Sequence, residues 1–173
     1  MTPTNPFSVR RLTPADVEQY RDCRLSALLD TPSAFGSSYE EEAAMTNDQF
    51  ITRFQEHAPE SATFGAFDGE RVVGLMGIYR EQRHKRKHKA NLVGVFVRPE
   101  YRGQGIGSQL MEATISHAKT MVGVERVELS VESNNTPAKV LYTRHGFTTW
   151  GTEPEFMLLD GVRHDEDYMT LKL

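Results

Sequence analysis

Apolar and polar positions alternate from Phe7 to Leu12, as in a short strand, and Thr13-Pro14 then offers an N-cap followed by proline at the first helical position. A helix is predicted from there to about Leu29, where Asp30-Thr31-Pro32 breaks it. The stretch Ser37-Ser38-Tyr39-Glu40-Glu41-Glu42 reads as a second helix start, with hydroxyls to cap and carboxylates for the positive end of the dipole, running to about Glu56. Ala62–Phe67 and Arg71–Tyr79 are predicted strands joined by Asp68-Gly69, a strong hairpin signal. Leu92–Val97 returns as a buried strand after the basic run Arg83-His84-Lys85-Arg86-Lys87-His88-Lys89, which reads as a solvated tip.

From Gly105 the period changes. Met111, Ile115, Ala118 and Val122 recur at helical spacing, and Gly123 stands where a cap residue would. Val124–Val131 is another strand, Ser133-Asn134-Asn135-Thr136-Pro137 caps a short helix to Arg144, and Phe147–Gly151 and Tyr168–Leu173 are the last strands, with Asp160-Gly161 in the loop between them. The order is strand, two helices, three strands, helix, strand, helix, two strands. That is an α/β chain with a mixed, mostly antiparallel sheet of six or seven strands and about four helices packed on it.

The length of 173 residues suits one domain, residues 1–173, and no repeat or linker divides it. Twenty basic and twenty-four acidic residues leave a formal charge of -4, which argues against global attraction to nucleic acid and makes any anion site local. One cysteine, Cys23, excludes an internal disulfide and a thiolate cluster and fits a reducing compartment. The N-terminus has no secretory signal, and no apolar run approaches the ~20 residues of a membrane span. The expectation is a cytoplasmic protein with no membrane or nucleic-acid partner.

Candidate chemistry begins with Arg98-Pro99-Glu100-Tyr101-Arg102-Gly103-Gln104-Gly105-Ile106-Gly107-Ser108, three glycines on alternating positions where a strand hands over to a helix. Such a junction brings backbone close to a ligand and supplies unpaired helix N–H groups for an anion. A Walker loop needs lysine and a hydroxyl after its last glycine, whereas Gly107 is followed by Ser108-Gln109. A dinucleotide fingerprint needs a third glycine where Ser108 and Leu110 stand. What remains is a loop that grips a diphosphate by backbone N–H groups, with Arg102 as a charge at its edge and no metal.

The run Val95 to Gly107 resembles the acetyl-coenzyme A signature of the GNAT superfamily of N-acetyltransferases, whose core has Arg or Gln, then glycine three residues on and glycine or alanine two further; here these are Arg102, Gly105 and Gly107. Asn135, Ala138, Leu141, Tyr142, Gly146 and Phe147 resemble the family's second motif, and the element order is similar along nearly the whole chain. The resemblance implies an acetyl-CoA-dependent transfer to a primary amine on a small molecule or peptide. It gives Val95, Phe96 and Val97 the pantetheine arm, the amides from Arg102 through Gly103, Gln104, Gly105, Ile106 and Gly107 to Ser108 the pyrophosphate, and Asn135 a contact with the arm. Tyr142 inherits the role of general acid to the departing sulfur. A homodimer is implied by analogy, since family members often dimerise.

The base is not assigned. Members that acetylate protein N-termini carry glutamate five residues before the asparagine, where this chain has Ser130; Glu81 and Glu132, at strand ends, are the substitutes. Glu40, Glu41 and Glu42 border the acceptor side by resemblance, although a helix start explains them. His164-Asp165-Glu166-Asp167-Tyr168 resembles the approach to the last strand, which lines the acceptor side or is an exposed turn. His84 and His88 lack the helical setting that would make i, i+4 a metal pair. Transfer of another acyl group, or a non-catalytic coenzyme A sensor, are the alternatives.

Overall fold

The computed structural model describes residues 7–55 and 58–173, without the side chain of Gln55. Seven strands form one sheet: β1 (Ser8–Arg11), β2 (Ser61–Asp68), β3 (Arg71–Arg80), β4 (Lys89–Val97), β5 (Arg126–Glu132), β6 (Thr148–Leu159) and β7 (Val162–Lys172). Their order across the sheet is β1-β2-β3-β4-β5-β7-β6, and every neighbouring pair is antiparallel except β4 with β5. Helices α1 (Val17–Asp30), α2 (Tyr39–Ala43) and α3 (Asn47–Gln55) cover one face, and α4 (Ile106–Thr120) and α5 (Thr136–Arg144) the other. This is the mixed, mostly antiparallel sheet expected, with five α-helices instead of about four.

The central strands are apolar because both faces are covered. In β3, Val72 and Leu75 join Leu12, Tyr20, Cys23, Phe50 and Phe96 beneath α1 and α3, while Met76 and Ile78 join Ile106, Leu110, Met111, Val127 and Leu129 beneath α4. Arg98, just beyond β4, fastens the two layers: its guanidinium donates to the Val72 carbonyl at 3.0 Å and to the Asp22 carboxylate of α1. None of the described helices is long and apolar enough to cross a membrane.

Two departures from the expected elements have local causes. The single helix foreseen from Ser37 is two, because this stretch holds two capping boxes. In the first, Ser38 Oγ accepts from the Glu41 N–H and the Glu41 carboxylate accepts from the Ser38 N–H; in the second, Thr46 and Gln49 exchange the same pair of bonds. The expected end of that helix, Glu56, lies outside the described residues. At the C-terminus, β6 and β7 are 12 and 11 residues long and meet at the Asp160-Gly161 turn. Register shifts between Thr149 and Gly151 and between Glu153 and Met157 break the alternation of β6, which is why only its start, to Gly151, reads as strand, and of β7 only the part from Tyr168.

The α1–α3 layer is held by a buried charge. Glu42, 1% exposed, receives Arg24 at 2.8 Å and Arg53 at 3.1 Å. The two guanidinium groups hold its carboxyl below the usual range against the opposing effect of burial. Glu42→Ala leaves these cations facing an apolar layer, and is expected to cost about 3 kcal/mol, read as a lower urea midpoint with an unchanged slope.

Candidate active site

Parallel strands β4 and β5 pair only over Lys89–Asn91 with Arg126–Glu128, although β4 runs on to Val97 and β5 to Glu132. The cause lies in β4. Three steps from Val93 to Phe96 oppose two from Gly77 to Leu75 on β3, a bulge of one extra residue, and Gly94 within it sits at φ 63°. A side chain is strained at that angle, so glycine there lets β4 bend off β5. The sheet consequently opens beside Val95, Phe96 and Val97. Phe96 and Val97 still pair with β3 through Leu75 and Gly74, Phe96 is buried under α1, and the Val97 carbonyl accepts from Arg102 Nε at 2.9 Å.

The glycine loop leads from β4 to α4 through a 3-10 turn at Pro99–Tyr101. Gly103 and Gly105 have φ of 76° and 81°, and no atom lies within 4 Å of where a Cβ would stand at either. Gly107 differs: its φ is ordinary, and an added Cβ would stand 3.2 Å from Leu141 Cδ2 of α5. Two of the glycines therefore shape an exposed loop, and the third admits a neighbouring helix. The first amide to bond back into α4 is that of Gln109, to the Gly105 carbonyl at 3.2 Å, which leaves those of Gly105, Ile106, Gly107 and Ser108 without a partner inside the helix. They point as an anion would require. Arg102, half exposed, spends part of its charge on Asp30, while Gln104 donates to the Glu100 carbonyl at 3.2 Å.

Across the opening, Asn135 caps α5, its side-chain oxygen accepting from the Ala138 N–H at 3.3 Å. About two turns on, Tyr142 is 4% exposed and sets its ring edge-on to Phe147, with centroids 6.1 Å apart. Burial, and secondarily the charge of Glu166, push its hydroxyl pKa above the ordinary tyrosine value, so it keeps its proton.

Glu166 is the residue that sequence reasoning passed over, naming it only within a loop. It lies inside β7, in register with Glu132 of β5, and is 9% exposed. Burial raises its carboxyl pKa, the Ser130 hydroxyl bonded to it opposes this, and Glu132, Glu153 and Asp167 add to the rise. The substitutes foreseen as base are committed elsewhere. Glu132 accepts from Ser33 Oγ at 2.8 Å and pairs with His164 at 2.7 Å, and Glu81 takes Arg86 and the Asn91 amide, each at 3.0 Å. Asp167 faces the other way, to Lys139, Ser133 and Thr152. The signal for Glu166 was present only in the register of β7, which the bulges of β6 obscure.

Glu166 and Ser130 line a cavity of about 570 Å³ on the α1–α3 face, closed by Arg24 and Arg53, the loop at Phe35, the β3–β4 floor at Gly77, Tyr79 and Val93, and Met157 of β6. Among the described residues no three His, Cys, Asp or Glu side chains converge as metal ligands would.

A sheet opened beside an amide-rich helix start is the architecture of an acyltransferase, and the comparisons agree. Residues 25–147 match the Acetyltransferase (GNAT) family, and the chain belongs to it. It is 35% identical over 102 residues to the L-amino acid N-acetyltransferase AaaT of Escherichia coli K12, covering 59% of this chain and 62% of that one. It is 33% identical over 123 residues to the mycothiol acetyltransferase of Actinosynnema mirum, covering 70% of this chain and 40% of that one. The chain thus spans less than two thirds of either relative. Among solved structures, a GNAT-family acetyltransferase of Streptococcus pneumoniae superposes with a TM-score of 0.88 at 22% identity over 96% of this chain and 99% of its own. Salmonella typhimurium yncA, solved with its cofactor acetyl-CoA, does so with a TM-score of 0.85 at 20% identity over 96% and 94%.

The raised pKa of Glu166 has a thermodynamic sign. Between the unfolded and the higher folded value the native state binds more protons, so stability falls as pH rises through that window. Glu166→Gln is expected to be more stable than the parent near pH ~8, the gain shrinking toward pH ~4. Thermal melts at the two pH values measure it; a gain independent of pH contradicts the assignment.

Proposed function

We propose that the chain transfers an acetyl group from acetyl-CoA directly to a primary amine of a small molecule or peptide, with residues 1–173 working as one domain. What supports this reading is that β4 and β5 part after three paired residues, that the first amides of α4 have no partner inside the helix, and that the buried Tyr142 hydroxyl feels the charge of the buried Glu166.

The residues present suit the donor. Open space at Gly103 and Gly105 lets a diphosphate approach the amides from Gly103 to Ser108 at the positive end of α4; the Arg102 amide is taken by the Pro99 carbonyl at 3.2 Å, and Arg102 adds only the charge that Asp30 leaves it. The bent edge of β4 at Val95, Phe96 and Val97 does not pair with β5, which leaves room beside it for an amide-bearing arm. Asn135, whose oxygen is used as a cap, has its amide nitrogen to offer the same arm. Acetyl-CoA supplies an acetyl group activated as a thioester. Glu166, with its raised pKa, takes a proton from the ammonium of the acceptor, and Tyr142 holds the proton that the sulfur needs on leaving. The chain's one thiol does not suit a covalent route: Cys23, on the inner face of α1, is fully buried, and burial pushes its thiol up to about 12.

Tyr142→Phe is expected to lower transfer by roughly 100-fold or more while leaving the affinity for acetyl-CoA unchanged. Thiol release with a panel of amines measures the first and calorimetry the second. Full activity in the variant removes Tyr142 from the mechanism, and tight acetyl-CoA binding by a parent that acetylates no amine removes the enzyme reading altogether.

A further inference from the structure

The cavity is electrically lopsided. Arg24 and Arg53 both line it, and both point at one carboxylate, Glu42, which lies behind them and does not. Arg24 donates through Nε and Nη2 to the two Glu42 oxygens at 3.0 and 2.8 Å; Arg53 donates through Nη1 to one of them at 3.1 Å and through Nη2 to Met45 Sδ at 3.3 Å. Among the described residues two guanidinium groups share one carboxylate, which leaves this wall with one positive charge in excess. Nη1 of Arg24 takes no part in these bonds, and its guanidinium stacks 4.5 Å from the ring of Phe35, which holds its plane at the cavity surface. Tyr20, also in the lining, meets the Arg53 guanidinium through its hydroxyl. Another wall of the same cavity carries the opposite sign, at Glu166.

We propose that the acceptor is a small zwitterion, an amine that also bears a carboxylate or similar oxyanion, bound with the oxyanion against Arg24 and Arg53 and the amine toward Glu166. The inference rests on the acetyl-transfer reading and adds a demand on the other end of the acceptor. Guanidinium groups pair with oxyanions in a planar, charge-assisted geometry that a carboxamide or hydrocarbon does not reproduce. An acceptor lacking the anion enters a half-buried site and leaves the excess charge unanswered, which is the situation in which a site discriminates strongly. The cavity volume of about 570 Å³ suits a ligand of this size.

The test pairs acceptors that differ only at the far end: an amino acid and its carboxamide, an amino acid and the aminophosphonate of equal length. The parent protein is expected to prefer the amino acid over the carboxamide by at least about tenfold in kcat/KM. Arg53→Met, which keeps the Arg24–Glu42 pair, should bring that ratio toward one, and Arg53→Lys should restore part of it. Equal use of carboxylate and phosphonate identifies a general oxyanion site; preference for the carboxylate identifies a planar one. A ratio near one in the parent, or one unmoved by Arg53→Met, overturns the proposal. Calorimetry of N-acetyl amino acids against their amides separates the two readings without turnover. If no amine is acetylated yet the acid binds more tightly in an Arg53-dependent way, the transfer reading falls, and with it the acceptor, while the oxyanion site at Arg24 and Arg53 stands; equal binding of acid and amide overturns that site.

Discussion

One extra residue in β4 governs the molecule. With β4 pairing β5 along its full length, the two halves of the sheet would close over each other's backbone groups and leave no space between them. The bulge at Gly94 limits the parallel pairing to three residues at one end, and the rest of both strands diverges. A parallel pair needs a crossover connection, and here that crossover is the glycine loop with α4. The opening and the helix start that faces it are therefore consequences of one piece of strand geometry. Four of the polar side chains proposed for the site stand on elements at or next to this gap: Tyr142 on α5, Asn135 at its cap, Ser130 on β5 and Glu166 on β7.

The charges around the gap are sorted by how they are paid in partners. Glu132, Glu81 and Asp167 each have a cation or several donors and are structural. Glu166 is buried, and burial, with three acidic neighbours against the Ser130 hydroxyl, is why its pKa rises. A carboxylate that folding leaves under-compensated is the kind of group that acts as a base. On the facing layer the imbalance has the opposite sign, since Glu42 answers two arginines. The core beneath both layers is conventional, so these two exceptions stand out against it.

Much of this was legible in the residues. The glycine loop, the helix behind it, the β2–β3 hairpin and the capped α5 follow from turn and capping chemistry that acts within a few positions, and local rules read them well. Gly107 shows the limit: by spacing it belongs with Gly103 and Gly105, yet its reason is Leu141, 34 positions away in sequence and in contact only once α5 folds back. The second capping box at Thr46 was present in the sequence and masked by the longer acidic start before it. Glu166 escaped for a different reason. Its burial depends on the register of β7 against β5, and the two irregularities of β6 hide the strand that would have announced it.

The contact of Gly107 with Leu141 also makes the first turn of α4 and the helix bearing Tyr142 one mechanical piece. Leu141 precedes Tyr142 directly, and a methyl group at position 107 would stand only 3.2 Å from it. The two helices approach closely at this point, so a larger residue at 107 would press on the turn of α5 that carries the tyrosine. The smallest side chain in the loop thereby sets the tolerance with which two remote ends of one site are held in step.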